Sequence, residues 1–573
     1  MTGHLIRGFT VGIMATFIAI APAWAASYYA SPLGNDANPG TSQAEPWQTI
    51  NKINASHFAG GDTLNLDAGN GPFSGCIVLT GANISATPTR RFTIQGYNSV
   101  TSTWQLNSDC GVDGSKIAAV LIDSVDGITM LGGKVDGNGT HTLYGFWLRS
   151  YLGGHNNITL DGTETVDFNT TSADVYSVHV LVDGFNTGFA AGSLTIQNMV
   201  MHGLTPTSPD QNCITGYGDG QNIVDPLYTR IECYNMGGLP GGVSQGVNGN
   251  GIWANGTVGA EVSYSYVHDI SANVSGCGAS MGIGTANSGK AWVHDNEVAR
   301  VRPTVWTSGN CDFAAFDADG LTTDSIFERN YSHDNAGPAW EVGGAPPRQP
   351  WNGNVSRYNI SVNDGGMIGY AVGFNPPGGL AYYNNTIYIG LPAGGRHTTY
   401  CYSTGFNAAY APGAIVANNL CVNETSIWGG RSGIISDEWQ TNTNPNALEL
   451  VSNNYQTYGG GGVLEGPWLV NGDNRFYWSF PAFQSATGNE VGSLTSPAGL
   501  WGAGTDPTCH GATLPCPSGY QLTLTSTMIG KGVDLSKPPY NLIPPSVDFY
   551  GRPVPNGVAT GGWNIGADGS TGR

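Results

Sequence analysis

The chain has 573 residues, only 11% of them charged against 40% apolar and 10% aromatic, and 41 acidic against 21 basic side chains leave a formal net charge of −20. That balance excludes a nucleic-acid binder, which needs bases to neutralise phosphates, and 15 tryptophans among so few charges exclude disorder. Glycine supplies 86 residues, about twice its usual share, without a Gly-X-Y period, so tight turns should be many, long helices few and the chain all-β.

In chain order, residues 1–25 carry Arg7, an apolar run from Val11 to Pro22 and the small-x-small end Ala23-Trp24-Ala25. This is the layout of a secretory signal peptide cut after Ala25. No other stretch reaches the ~20 apolar residues of a membrane-crossing helix, so a secreted or periplasmic protein without a membrane span is expected. Residues 26–115 should form an N-terminal cap with the first coils, 116–500 the body and 501–573 a closing segment. Ten cysteines, an even count, suit disulfides in an oxidising compartment. Pairing neighbours predicts Cys76–Cys110, Cys213–Cys233, Cys277–Cys311, Cys401–Cys421 and Cys509–Cys516. A zinc site lacks its usual C-x-x-C spacing.

From about Leu194 a phrase recurs: an apolar strand, often an asparagine, then a second apolar strand. Aligning Asn198, Glu232, Ser265, Asn296, Asn330, Asn359, Asn385, Asn419 and Asn454 gives steps of 34, 33, 31, 34, 29, 26, 34 and 35 residues. A period with unequal insertions marks a solenoid whose coils bury their apolar faces on one another. Each unit holds three strand-like pieces, for example Gly251–Ala254, Ala260–Ser263 and Tyr266–His268, with no helix between. That predicts a right-handed parallel β-helix with three strands per coil. The asparagines read as structural, their amides stacking at about 4.8 Å as a hydrogen-bonded ladder.

The opening Ser27-Tyr-Tyr-Ala-Ser-Pro-Leu-Gly-Asn-Asp36 through Pro46-Trp47 to Gly61-Asp62-Thr63-Leu64 resembles the start of many exported bacterial right-handed β-helix proteins. The ending Asp548-Phe-Tyr-Gly551-Arg-Pro553 and Asn564-Ile-Gly566-Ala567 resembles their close. Gly251-Ile-Trp-Ala and Phe316-Asp-Ala-Asp-Gly320 are similar to core phrases of the same pectate-lyase-like group. The resemblance implies the fold and a carbohydrate ligand. It does not choose an activity, because the group spans lyases, polygalacturonases, other glycosidases, epimerases and phage tailspikes, and fold does not fix function.

A groove along the first strand of each coil, with the loop leading into it, is the expected site. Its sharpest constellation is Asp312-Phe-Ala-Ala-Phe-Asp317-Ala-Asp319-Gly320. Residues two apart in a strand share a face, so Asp317 and Asp319 should project together, with Glu341 on the equivalent strand one coil later. Carboxylates so close cannot all ionise cheaply, which provides a general acid beside an ionised base or nucleophile. The same Asp-x-Asp-Gly also suits a tight turn or a calcium site. His333 and Asp334 are further catalytic candidates, His333 as a proton shuttle and Asp334 in a column with Asp269 and Arg300. Glu297 stands out as a lone acid in an otherwise apolar or tyrosine position. Trp253, Asn250, Glu297, Arg300, Asp312 and Trp340 are the expected substrate contacts, with Trp306 and Trp351 nearby.

Three readings follow. The first is a monomeric glycoside hydrolase acting on a polysaccharide or oligosaccharide with paired carboxylates and no required cofactor. The second is a polysaccharide lyase removing the proton beside a uronate carboxylate, with calcium as helper; the groove region offers it only Lys290, Arg300, Arg302 and Arg348 as bases. The third is a non-catalytic glycan-binding surface protein. No Ser-His-Asp elbow, P-loop or dinucleotide-binding glycine pattern supports another enzyme class.

Overall fold

A computed structural model describes residues 25–99, 102–108, 118–138, 143–151, 157–168, 177–204, 212–237, 247–273, 280–303, 313–342, 353–369, 380–390, 400–403, 414–424, 433–436, 448–457, 467–470, 473–476, 480–504, 509, 516–554 and 562–570. The expected signal peptide lies outside them but for its last residue.

The chain winds as a right-handed parallel β-helix, each coil giving one strand to each of three long sheets. Sheet 1 has twelve described strands, from Ile77–Thr80 to Gly433–Ser436; sheet 2 has fourteen, from Ser27–Ala30 to Leu448–Val451; sheet 3 has fifteen, from Phe73–Ser74 to Asn454–Thr457. The coils before Leu194 belong to the same stack, although they lack the asparagine phrase.

Alternation along each strand sends every second residue inward, and register stacks those residues into columns. On sheet 2 one column runs Ile94, Met130, Leu160, Ile196, Tyr228, Val262, Val293, Phe327. On sheet 1 it runs Val120, Phe146, Val180, Ile214, Ile252, Ile283, Phe316, Trp340. All of these side chains are buried in one continuous core, so each coil covers the apolar face of the next.

The ladder stands at the corner between sheets 2 and 3. Asn330 Oδ1 accepts from the backbone N–H and side-chain amide of Asn296, Asn359 from Asn330, Asn385 from Asn359, Asn419 from Asn385 and Asn453 from Asn419, at 2.8–3.2 Å. Ser265 and Ser493 close its two ends. Each rung follows a residue of positive φ, such as Asp295 (55°), Arg329 (54°) and Tyr358 (54°), which turns the chain and aims the next side chain inward. Asn198 is itself such a turn residue (φ 54°), and Glu232 and Asn454 each follow the inward position. Three of the nine expected rungs are therefore displaced by one residue; Met199, Ile231 and Asn453 hold the inward positions.

Three predicted disulfides are formed, Cys213–Cys233, Cys401–Cys421 and Cys509–Cys516. Cys76 is disulfide-bonded, while Cys110, Cys277 and Cys311 lie outside the described residues. Beyond the last coil, the chain folds back over the solenoid. Tyr520, Leu522, Met528, Phe549 and Ile565 pack on the outward Tyr331, Ile360 and Leu420 of sheet 3. Leu535, Val554 and Trp563 pack on Tyr358, Ala381 and Tyr383 along sheet 2. No described helix is long and apolar enough to cross a membrane.

Candidate functional site

Period-two alternation and register place the acids. In the sheet 1 strand Phe316–Ala318, Phe316 and Ala318 point into the core and Asp317 points out; in Pro338–Val342, Trp340 and Val342 point in and Glu341 points out. Asp317 is in direct register with Glu341, so two carboxylates occupy adjacent strands about 4.8 Å apart. The outward column through them reads Trp147, Leu181, Thr215, Trp253, Gly284, Asp317, Glu341, Gly369. Glycine thus stands on both sides of the acid pair. A Cβ on Gly284 would come within 2.5 Å of the Trp253 ring and 2.3 Å of Met281 Sδ, so the missing side chain is what lets the indole lie across that coil toward Asp317. Asp317 and Glu341 are only 7% and 5% exposed: they are buried, not set on the open wall the sequence suggests.

Asp319 shares the outward face with Asp317, but its Oδ1 accepts from the N–H of Gly320 at 2.7 Å and its carbonyl accepts from Thr322. It shapes the turn that ends the strand. Among the described residues no three His, Cys, Asp or Glu side chains gather as a metal-holding group, so no calcium ligands are assigned.

The remaining predicted residues separate. Asn250 begins its sheet 1 strand, its amide donating to Asn212 Oδ1 at 2.8 Å and its carbonyl oxygen accepting from Met281 N, which ties three coils together. Trp340 is a correction: it belongs to the inward column and stacks on Tyr382 at 5.7 Å. Period two forbids Trp340 and Glu341 from sharing a face, so placing Glu341 outward already excludes its neighbour. Glu297 and His333 lie on sheet 3, away from the pair. Glu297 is buried because the closing segment covers it, the Cys509 N–H donating to its Oε1 at 2.9 Å. His333 Nε2 contacts the same oxygen at 3.1 Å and its Nδ1 contacts Asp334 at 3.0 Å. Burial disfavours the charged ring, but these two carboxylate bonds outweigh it and push the His333 pKa up to about 9. A permanently charged, covered histidine is a poor proton shuttle near neutrality.

Asp334 and Arg300 occupy the corner between sheets 3 and 1, stacked with Asp269 as positive-φ residues. Arg300 binds Asp269 through Nε at 2.7 Å and also reaches Tyr266 and His268. Burial opposes ionisation of Asp334, but the His333 bond and the charges of His333, Arg302 and Arg300 hold its pKa below the usual range. This corner is an ion-pair column. Asp312, Trp306 and Trp351 lie outside the described residues.

Sequence reasoning passed over a set of residues farther along sheet 1. Trp147 donates from Nε1 to Asp183 Oδ2 at 3.1 Å; the Arg149 guanidinium lies between the Trp147 and Tyr151 rings (5.0 and 4.9 Å) and binds Asp123 at 3.1 Å. Phe185 and Tyr217, 46% and 54% exposed, stack at 5.7 Å. Outward aromatics two apart on neighbouring strands were the available signal, but these coils precede the asparagine phrase that drew the alignment.

No protein-family profile matches the sequence, and no curated protein matches it. Solved structures match at low identity and with TM-scores below 0.5. The GH136 lacto-N-biosidase from Eubacterium ramulus is 16% identical with a TM-score of 0.39, the match covering 63% of this chain and 64% of that enzyme. XylC, in complex with xylose, is 9% identical with a TM-score of 0.44, covering 72% and 86%. Pectate lyase Pel9A is 10% identical with a TM-score of 0.42, covering 95% and 96%. The strand order and register define a parallel β-helix with an acid pair on one sheet.

Proposed function

We propose that the protein is a glycoside hydrolase that cleaves a glycan over sheet 1, with Asp317 and Glu341 as its carboxylate pair. The observation that carries this reading is the register Asp317 to Glu341, acid beside acid, an arrangement that costs stability when both ionise. One carboxylic acid protonates the departing glycosidic oxygen while the other carboxylate attacks the anomeric carbon or activates water. The backbone spacing of about 4.8 Å lies nearer the ~5–5.5 Å of retaining carboxyl pairs than the ~6.5–9.5 Å of inverting ones. Low exposure would strengthen the proton transfer, because charges held away from water are weakly screened. Trp253 supplies an apolar wall beside Asp317 for a sugar ring.

Elimination from a uronate would need a basic side chain and cations near the sugar carboxylate. Among the described strands of sheet 1 the only lysine or arginine is Arg149, already bound to Asp123. This favours hydrolysis over a lyase reaction. The test is a screen of neutral and uronic glycans that follows reducing ends together with ultraviolet absorbance from unsaturated sugars. Reducing ends without absorbance are expected; both signals together would mean elimination, and neither would mean binding alone. Asp317→Asn should lower turnover by about 10²–10⁴-fold, and unchanged turnover would remove the assignment.

A further inference from the structure

We infer that the outer face of sheet 1 upstream of the acid pair is an extended binding strip for an uncharged glycan chain, built from Trp147, Phe185, Tyr217 and Trp253. The inference rests on the proposed glycosidase reading for its direction, but its own support is separate. Trp147 and Trp253 stand in the same outward column as Asp317 and Glu341, and Tyr217 stands in the neighbouring column, in register with Asp183. Five registered steps separate Trp147 from Asp317, about 24 Å along the axis, so a ligand spanning the strip is an oligosaccharide of several units.

The strip is held in place before any ligand arrives. Trp147 is fixed by its hydrogen bond to Asp183 and by the Arg149 cation, which Asp123 anchors in turn. Phe185 and Tyr217 support each other by stacking, with an interplanar angle of 18°, and yet each exposes about half its surface. Large exposed rings bordered by polar groups mark ligand surfaces, and rings already locked lose little freedom on binding. Flat apolar faces with polar rims suit the C–H faces and hydroxyls of sugar rings.

Charge selects the glycan. The described strands of this face carry Asp123, Asp183, Asp317 and Glu341 against the single base Arg149, which is paired. A polyuronate would meet like charge at both ends of the strip, at Asp183 and at the acid pair, whereas a neutral chain meets hydrogen-bond acceptors and rings.

The experiment is calorimetric titration of the Asp317→Asn protein with neutral hexasaccharides (cello-, xylo-, manno- and β-1,3-gluco-), their disaccharides, and hexagalacturonate. At least one neutral hexasaccharide should bind about tenfold or more tighter than its disaccharide, and Phe185→Ala with Tyr217→Ala should erase that gain. Trp501→Ala, which removes an exposed ring of the closing segment (58% exposed), should leave the gain intact. Unchanged thermal melting confirms that the strip variants fold. A gain that survives loss of both rings, binding confined to hexagalacturonate, or no binding of any neutral hexasaccharide would overturn the strip. If the strip variants erase the gain while Asp317→Asn still cleaves at the wild-type rate, the strip stands and the acid-pair reading falls.

Discussion

Sheets 1 and 2 carry outward acids in opposite company. On sheet 2, Glu328 lies in register with Arg357 and accepts from its Nε at 2.7 Å, from Trp292 at 3.0 Å and from Arg329. Burial opposes its ionisation, but the charges of Arg357 and Arg329 hold its pKa below the usual range. On sheet 1, Asp317 lies in register with Glu341, and glycines flank the two. The same solenoid geometry therefore makes a cross-link in one place and sets acid beside acid in the other. An acid matched to a cation stabilises a stack; an acid registered on an acid gains nothing from that neighbour, and this is the contrast on which the proposed chemistry rests.

The sharpest way to break that contrast is a pair of isosteric changes. Glu341→Gln should lower turnover by about 10²–10⁴-fold with little loss of stability. Glu328→Gln should leave turnover intact but cost about 3–5 kcal/mol, because Arg357 stays buried without its anion while Arg329 keeps only Asp295. Activity assays beside thermal melting read both; the reverse pattern would exchange the roles of the two sheets. Next in size, Asn330→Ala removes a buried rung, strands the backbone N–H and side-chain amide of Asn296 and takes a donor from Val293 O and Asn359 Oδ1, at about 2–3 kcal/mol. Chemical denaturation should show this loss.

Sheet 3 adds a pH signature that sheet 1 does not share. His333 is raised from 6.5 to about 9 by Asp334 and Glu297 against the opposing effect of burial. Its stabilisation is full below about pH 6.5 and is lost as pH rises through about 9. The loss should be on the order of 2–3 kcal/mol and absent in His333→Gln. Of similar size is the effect at the last coil, where Glu490 is buried against Tyr455, Ser493 and Asn453. Burial pushes its pKa up to about 7 from 4.5, so the folded state holds a proton that the unfolded chain releases, and stability falls as pH rises from about 4.5 to 7. Glu490→Gln should flatten that slope and raise the melting temperature at pH 8.

The solenoid was legible because its signal is repeated: coil length and three strands per coil return along the chain. The acid pair was legible for the same reason, since counting by two from Phe316 and from Trp340 aims Asp317 and Glu341 outward. What escaped was non-repeating. Glu297 looks exposed from its own coil, and only Cys509, 212 residues later, buries it. Asn198 was misplaced by one position because an asparagine suits both the inward rung and the positive-φ turn just before it. Asn454 stands beside the true rung Asn453, the coil of Glu232 has Ile231 and no asparagine at the rung, and a one-residue slip reverses the face. The aromatic strip has no phrase of its own; Trp147, Phe185 and Tyr217 come together only once register is known.

The most direct measurement compares turnover of Asp317→Asn, Glu341→Gln and the double variant on the glycan that the screen identifies. If the two acids act as one unit, the double variant is no slower than the slower single variant. Losses that multiply, or either single variant retaining full turnover, would contradict a shared active pair on sheet 1.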